Sequence, residues 1–176
     1  MIIKAYCDGG CRNNQQKENV GWWGVSVDYF DSCDTNSVSS WHMYGGELNT
    51  TNNRMELTSC IKALEILIEN NRNNETCHVS IIMDSQYVVA AFNENWIKGW
   101  IKRDWKKSNK KPVENQDLWR HLISLTGQFK SLTFVKVKGH SGHEGNEKAD
   151  NLANKAMDVL TDGKTQYCIF VSEGMK

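Results

Sequence analysis

The chain has 176 residues, of which 39% are hydrophobic and 24% charged, as expected for one folded soluble domain with a sizeable core. Lysine plus arginine and aspartate plus glutamate number 21 each, so no net charge draws the whole chain toward nucleic acid. The start, MIIKAYCDGG, contains charged residues and no apolar run reaches membrane-spanning length, which predicts an intracellular, cytoplasmic protein without a membrane segment.

The first third of the chain predicts strands and then a long helix. Runs of β-branched and aromatic residues bounded by turn residues are typical of strands, and the expected ones are 2–7, 20–30 and 38–46. Residues 51–69 have the apolar spacing of an amphipathic helix. Its expected buried face is Leu57, Cys60, Ile61, Leu64, Leu67 and Ile68. Its candidate N-caps are Thr50, Thr51 and Asn52.

The rest of the chain alternates between strands and helices. The expected elements are strand 79–83, helix 85–95, a helix near 115–128, strand 132–138 and helix 145–160. The closing TQYCIFVS fits either a further short strand or a docked tail. Three strands in a row followed by alternating helices and strands indicate an α/β fold, with hairpins first and crossovers afterwards.

Four acidic residues lie at the ends of elements or on the rims of helices. Asp8 and Asp84 follow predicted strands, whereas Glu56 and Asp150 lie at the edges of two apolar helix faces. Each has a simpler explanation alone: Asp84 could cap a helix, and the others could be dipole-stabilising or solvated acids. Together they suggest converging carboxylates, which repel one another unless a cation holds them.

Oxygen ligands of this kind suit Mg²⁺ or Mn²⁺ rather than zinc. Two such ions about 4 Å apart can promote an in-line phosphodiester displacement. A zinc site built from Cys7, Cys11, His140 and His143 is an alternative, but the C-x3-C and H-x2-H spacings fit structural zinc sites poorly. The six cysteines include no CxxC pair and are expected to be reduced thiols.

Five segments resemble, in order, the motifs of type 1 ribonuclease H. They are YCDGGC (6–11), TTNNRMELTSCIKALE (50–65), IIMDSQYV (81–88), WIKGWIKRDWKKSNKKPVENQDLW (96–119) and VKGHSGHEGNEKADNLA (137–153). The resemblance implies an RNase H-like α/β fold, a five-stranded mixed sheet of three antiparallel strands and then parallel crossovers, with flanking helices. It implies a catalytic domain over 1–160, with a basic protrusion at about 96–112, and a tail of unclear role over 161–176.

The family resemblance also implies an activity. It predicts a monomeric endoribonuclease that hydrolyses the RNA strand of an RNA/DNA hybrid, leaving 5′-phosphate and 3′-hydroxyl ends, with two Mg²⁺ ions or Mn²⁺ in their place. The family's metal-binding catalytic acids fall on Asp8, Glu56, Asp84 and Asp150. His140 matches a loop histidine thought to assist proton transfer or product release, and Glu147 matches a loop acid near the metal site.

Substrate contacts are implied in the same way. Short polar side chains can read a 2′-hydroxyl without reading sequence, and helix capping is the alternative role for the asparagines. The resemblance places Cys11, Asn14, Asn52, Asn53 and Gln86 along the hybrid, with Thr51 at a DNA phosphate. The chain departs from the family pattern after DGGC, where RNNQQKENVG replaces a Gly/Pro-rich turn.

The basic protrusion concentrates positive charge among tryptophans. Trp96 and Trp100 are one helical turn apart and can pack the protrusion onto the body, besides lying at the substrate. The lysines and arginine are expected to contact DNA phosphates, which is a salt-sensitive and sequence-independent interaction. The phosphate-binding candidates are Lys102, Arg103, Lys106 and Lys107.

Two other functions remain open from the sequence. One is a different metal nuclease on the same fold, such as a resolvase or a domain that serves a reverse transcriptase. The other is a hybrid-binding module without catalytic activity. Cleavage assays on several nucleic-acid substrates discriminate among the three.

Overall fold

The computed structural model describes residues 1–12, 19–31, 39–139, 144–160 and 166–173, with side chains described as far as residue 154. Six strands and five helices lie within these ranges. In chain order they are β1 (Ile2–Arg12), β2 (Val20–Phe30), β3 (Ser39–Leu48), α1 (Asn52–Glu69), β4 (His78–Met83), α2 (Gln86–Asn93), α3 (Trp96–Lys102), α4 (Gln116–Thr126), β5 (Leu132–Lys136), α5 (Glu144–Leu160) and β6 (Gln166–Glu173).

The strands form one mixed sheet in the order β5-β4-β1-β2-β3-β6. The β1–β2 and β2–β3 pairs are antiparallel, whereas β1–β4 and β4–β5 are parallel. This confirms the predicted α/β fold with a five-stranded mixed sheet, β3-β2-β1-β4-β5. The closing segment is a sixth strand, because β6 pairs antiparallel with β3 from Ser40 to Glu47.

The core lies where α1 covers the sheet. Alternate side chains of β1, namely Ile3, Ala5 and Cys7, are fully buried, as a strand with one face on a core requires. The predicted apolar face of α1 is buried except for Ile68, which is partly buried against the core. Thr51 is the N-cap of α1, since its side chain accepts a hydrogen bond from the Arg54 amide at 3.3 Å.

The predicted end of the first strand is wrong. β1 continues through Asp8, Gly9 and Gly10 and pairs with β2 as far as Arg12. Its pairing with β4 stops at Tyr6, so beyond that residue the sheet opens between β1 and β4. Asp8 therefore lies inside a strand, at the point where β4 has ended. The adjacent residues Gly9 and Gly10 favour a turn locally, but their pairing with β2 holds them extended.

The basic protrusion comprises α3 and the loop that leads to α4. Trp100 is buried, with its ring centroid 5.1 Å from that of Trp119 in α4 and 6.5 Å from that of Trp105. Trp96 contacts Trp100 at 6.3 Å but is 37% exposed. The prediction that Trp96 and Trp100 pack the protrusion onto the body is therefore confirmed for Trp100, whereas Trp96 packs on Trp100 and stays partly in solvent.

Two further expectations concern membrane-spanning segments and the state of the cysteines. In the part of the chain that the structure describes, no helix is long and apolar enough to cross a membrane. The described cysteines with side chains, Cys7, Cys11, Cys60 and Cys77, are free thiols.

Candidate active site

Three of the four predicted acids meet at the open end of the β1–β4 pair. Asp8, Glu56 and Asp84 each offer a carboxylate oxygen, and these oxygens lie within 4.8 Å of one another. They line a cleft of about 240 Å³ together with Asp150. The remaining lining residues are Gly9, Gly10, Trp22, Asn146 and Asn154.

Asp8 is fixed by the backbone of its own strand. Its Oδ1 accepts a hydrogen bond from the Gly9 amide at 2.9 Å. Burial, followed by the charges of Asp84 and Asp150, raises the pKa of Asp8 to about 7. No positively charged side chain among the described residues compensates the charge of the Asp8 carboxylate.

Glu56 reaches the cleft from the first turn of α1. Burial, followed by the charges of Asp8 and Asp84, raises the pKa of Glu56 well above its usual value. Its Oε2 is buried and has no hydrogen-bond partner within the described ranges. A buried carboxylate oxygen without a donor is costly, so this atom indicates that something positively charged or hydrogen-bonding occupies the cleft.

Asp84 directly follows β4, as the sequence predicted. The alternative that it caps the next helix is wrong, because Ser85 is the N-cap of α2 and accepts from the Val88 amide at 3.4 Å. Gly139, after β5, lies against Asp84 so closely that a Cβ there would collide with Oδ2. Asp84 is thus left to face the cleft.

Asp150 reaches the cleft from the opposite side, on α5. Its carboxylate lies beside that of Asp8, although it is outside the group of three within 4.8 Å. Asn154 donates to the Asp150 backbone oxygen at 3.0 Å and to Oδ1 at 3.3 Å. α5 approaches β2 at Gly24, where a Cβ would collide with the Ala149 carbonyl. Because Gly24 has no Cβ, α5 can pack close enough to β2 for Asp150 to reach the cleft.

The donor set fits a hard divalent cation. Carboxylate oxygens are the preferred ligands of Mg²⁺ and Mn²⁺, and a cation would supply the charge that Asp8 and Glu56 lack. Among the described residues, no candidate metal group includes a cysteine. The predicted zinc alternative has little support, because hydrogen bonding to Cys60 and burial raise the pKa of Cys7 and keep it a thiol. His140 and His143 lie outside the described residues.

None of the predicted substrate residues that the structure describes lines the cleft itself. Thr51 and Asn52 at the start of α1 and Gln86 at the start of α2 are exposed, while Asn53 and Cys11 are half-buried. The Cys11 thiol donates to the Thr50 carbonyl at 3.7 Å. Asn14 and His140 are not among the residues that the structure describes.

The protrusion forms a separate groove of about 390 Å³. It is lined by Tyr87, Trp96, Trp100, Arg103, Lys107, Ser108, Val113 and Glu114. Two of the four predicted cations have partners within the chain: Lys107 pairs with Glu114 at 2.8 Å, and Arg103 Nε donates to the Lys106 carbonyl at 3.1 Å. Lys102 and Lys106 are exposed.

Sequence reasoning missed Arg54, its partner Asp117, and Asn146. Arg54 makes a two-pronged ion pair with Asp117 at 2.9 and 3.1 Å and so ties the start of α1 to α4. Asn146 lies in the cleft, almost completely buried. The NNR and GNE runs that contain Arg54 and Asn146 were visible, but nothing in their spacing indicated these roles.

Comparison with known proteins identifies relatives over most of the chain. A family model described as RNase H matches residues 2–158. A protein named Ribonuclease H from Lachnoclostridium phytofermentans is 42% identical over 158 residues, which cover 90% of this chain and 93% of that protein. One of the same name from Ruthia magnifica subsp. Calyptogena magnifica is 44% identical over 159 residues, covering 90% and 97%.

Solved structures show the same fold. LC9-RNase H1, described as a type 1 RNase H with the type 2 active-site motif, superposes with a TM-score of 0.80 at 30% identity, covering 98% of this chain and 78% of that one. LC11-RNase H1 in complex with an RNA/DNA hybrid superposes with a TM-score of 0.60 at 24% identity, covering 90% and 99%.

Proposed function

This chain belongs to the ribonuclease H family of enzymes, and from that premise we propose that it hydrolyses the RNA strand of RNA/DNA hybrids at the acidic cleft. The proposed products carry 5′-phosphate and 3′-hydroxyl ends. The observation that carries the proposal is the meeting of Asp8, Glu56 and Asp84 within 4.8 Å of one another, with a buried Glu56 oxygen that no described residue satisfies. That arrangement suits a divalent cation, and a hybrid is bound by LC11-RNase H1.

Asp8, Glu56 and Asp84 would hold a first Mg²⁺ ion, and Asp8 with Asp150 would hold a second, with Mn²⁺ as a possible substitute. When bound, these ions activate a water molecule and stabilise the leaving oxygen of the phosphodiester. The chain contributes rigidity: β1, β4, α1 and α5 each fix one carboxylate, so little reorganisation is needed when the substrate arrives. The Gly9 amide holds the orientation of Asp8.

The mouth of the cleft would bind the hybrid. Exposed Thr51, Asn52 and Gln86 stand at the starts of two helices, where short polar groups and backbone amides can contact a phosphate or a 2′-hydroxyl. Half-buried Asn53 and Cys11 would complete this contact. Because such groups read the sugar rather than the base, the proposed enzyme distinguishes RNA from DNA without preferring a sequence.

Other parts of the proposal concern the protrusion and the loop after β5. Exposed Lys102 and Lys106 would contact DNA-strand phosphates, supported by Arg103 and Lys107. His140 follows Gly139, which lies against Asp84, and we extend to it the family's proposed role in proton transfer or product release. All four acids come from one chain, which supports a monomer as the active unit.

A substrate panel tests this proposal. Labelled RNA/DNA hybrid, duplex RNA, duplex DNA and a four-way junction would each be incubated with the protein and Mg²⁺, with EDTA as control. We expect cleavage of the hybrid alone, and only with metal. The products should carry a 5′-phosphate that a phosphatase can remove. Cleavage of the junction instead would favour a resolvase, and tight hybrid binding without cleavage would favour a binding module.

A further inference from the structure

Asn146 is buried in the wall of the acidic cleft. It lies in the first turn of α5, four residues before Asp150, so both side chains are on the same face of the helix. Its exposed fraction is 5%. Gly145 packs against the Tyr6 ring so closely that a Cβ would collide with it, which holds this turn on β1. The position of Asn146 is therefore set by the fold rather than by a surface loop.

The side-chain oxygen of Asn146 lacks a hydrogen-bond donor. Within the described part of the chain, Asn146 Oδ1 and Glu56 Oε2 are buried without a partner, and both residues line this cleft. No carboxyl of the cleft is a hydrogen-bond partner of either atom. Once a cation is bound, the carboxylates are ionised and only accept hydrogen bonds, so they cannot satisfy either atom then. Asn154, another amide in the cleft, already donates to Asp150. The missing donor must come from a molecule that enters the cleft.

We propose that Asn146 Oδ1 accepts a hydrogen bond from the hydration shell of the divalent cation held by Asp8, Glu56 and Asp84, and so is a positioning residue for that shell. The inference rests on the proposed function, since it requires a cation in the cleft. Mg²⁺ keeps several of its water molecules when it binds to protein, and those waters are hydrogen-bond donors. Partners of this outer kind affect metal affinity strongly. The rival donor is the 2′-hydroxyl of the RNA strand.

Metal affinity measured without nucleic acid separates the two donors. Mg²⁺ and, separately, Mn²⁺ would be titrated by calorimetry into the full chain and into Asn146→Leu, which keeps the size but loses the oxygen. We expect affinity to fall about ten-fold in Asn146→Leu. Asn146→Asp keeps an acceptor oxygen and should bind at least as tightly as the unchanged chain. Asn151→Leu is the matched control, because Asn151 is exposed on the same helix, and its affinity should not change.

Each outcome has a distinct meaning. If the unchanged chain binds neither ion, the proposed function loses its metal and the inference falls with it. If the unchanged chain and Asn146→Leu bind equally, only the inference is overturned. Equal loss in Asn146→Asp and Asn146→Leu would also overturn it, because the amide group rather than the oxygen would then matter. Melting in EDTA checks folding, and Asn146→Ala replaces the leucine variant should that variant not fold.

Discussion

Gly9 packs directly on the main chain of Glu56, so that a Cβ on residue 9 would lie 2.6 Å from the Glu56 amide nitrogen. This contact joins the strand that carries Asp8 to the helix that carries Glu56. The distance between the two carboxylates is thereby set by backbone atoms, which move less than side chains do. Gly9 thus helps to position the acids of the cleft, although it has no functional group.

We expect Gly9→Ala to lower both stability and activity. The added methyl group must push β1 away from α1, which should cost about 2 kcal/mol in the free energy of unfolding. The separation of Asp8 and Glu56 should lower kcat for hybrid cleavage more than it raises KM. Gly127→Ala is the control, since a Cβ there meets nothing closer than 3.6 Å and the backbone is right-handed. Denaturant unfolding and steady-state kinetics of both variants check this, and equal behaviour would contradict it.

Trp96 and Trp100 should differ sharply when each is replaced by alanine. Trp100 is 7% exposed and contacts Trp119, so Trp100→Ala should cost about 3–5 kcal/mol of stability. Trp96 is 37% exposed, and Trp96→Ala should cost no more than about 1 kcal/mol, through its contact with Trp100. A higher KM in folded Trp96→Ala would support its predicted place at the substrate. Thermal unfolding and KM measurements decide, and similar stability losses would refute the assignment.

Lys102 and Lys106 should carry most of the electrostatic contribution of the protrusion. Both are exposed, whereas Lys107 is already paired with Glu114. The double variant Lys102→Ala/Lys106→Ala should raise KM much more than it changes kcat, and should lower the slope of log KM against log salt by about 2. Lys130→Ala, exposed beyond the far end of α4, is the control. An unchanged salt slope would show that these lysines do not contact phosphates.

The metal-free protein should lose stability as pH rises, because of Asp8. The pKa of Asp8 is about 7 in the folded chain and near its usual 3.8 when unfolded, so the folded state holds more protons between these values. Its contribution is therefore fully present below pH 3.8 and is lost as pH rises through 7. In EDTA, Asp8→Asn should melt at a higher temperature than the unchanged chain, by a margin that grows up to about pH 7 and is then constant. A margin independent of pH would contradict the pKa assignment.

Adding Mg²⁺ at pH 8 should remove much of that difference. A bound cation compensates the carboxylate charges, so the unchanged chain should melt higher with Mg²⁺ than in EDTA. Asp8→Asn, which lacks one charged ligand, should gain less. Equal gains in both proteins would show that the ion acts elsewhere.

The parts of the fold that follow from local pattern were predictable from the sequence. α1 and β2 were predicted to within one residue at each end, because apolar spacing and turn residues mark them clearly. The sequence-based placement of Asp84 after a strand is confirmed for the same reason. In the described residues, all four predicted acids line one cleft.

Features that depend on distant segments were not predictable in this way. The end of β1 was misplaced because Gly9 and Gly10 indicate a turn, whereas β2 and α1 hold them extended. The ion pair between Arg54 and Asp117 joins residues 63 positions apart. Asn146 matters only because α5 packs on β1 through Gly145 and Tyr6. No local pattern encodes such contacts, since they arise when elements meet.

The central claim is that the carboxylates of this cleft catalyse cleavage of RNA in a hybrid with the help of a divalent cation. The most direct test incubates a labelled RNA/DNA hybrid with Mg²⁺ and either the unchanged chain or Asp84→Asn, and measures cleavage and hybrid binding in parallel. We predict cleavage by the unchanged chain, background cleavage by Asp84→Asn, and hybrid binding by both. A hybrid left uncut by the unchanged chain with Mg²⁺ or Mn²⁺, or cut equally well by Asp84→Asn, would contradict the claim.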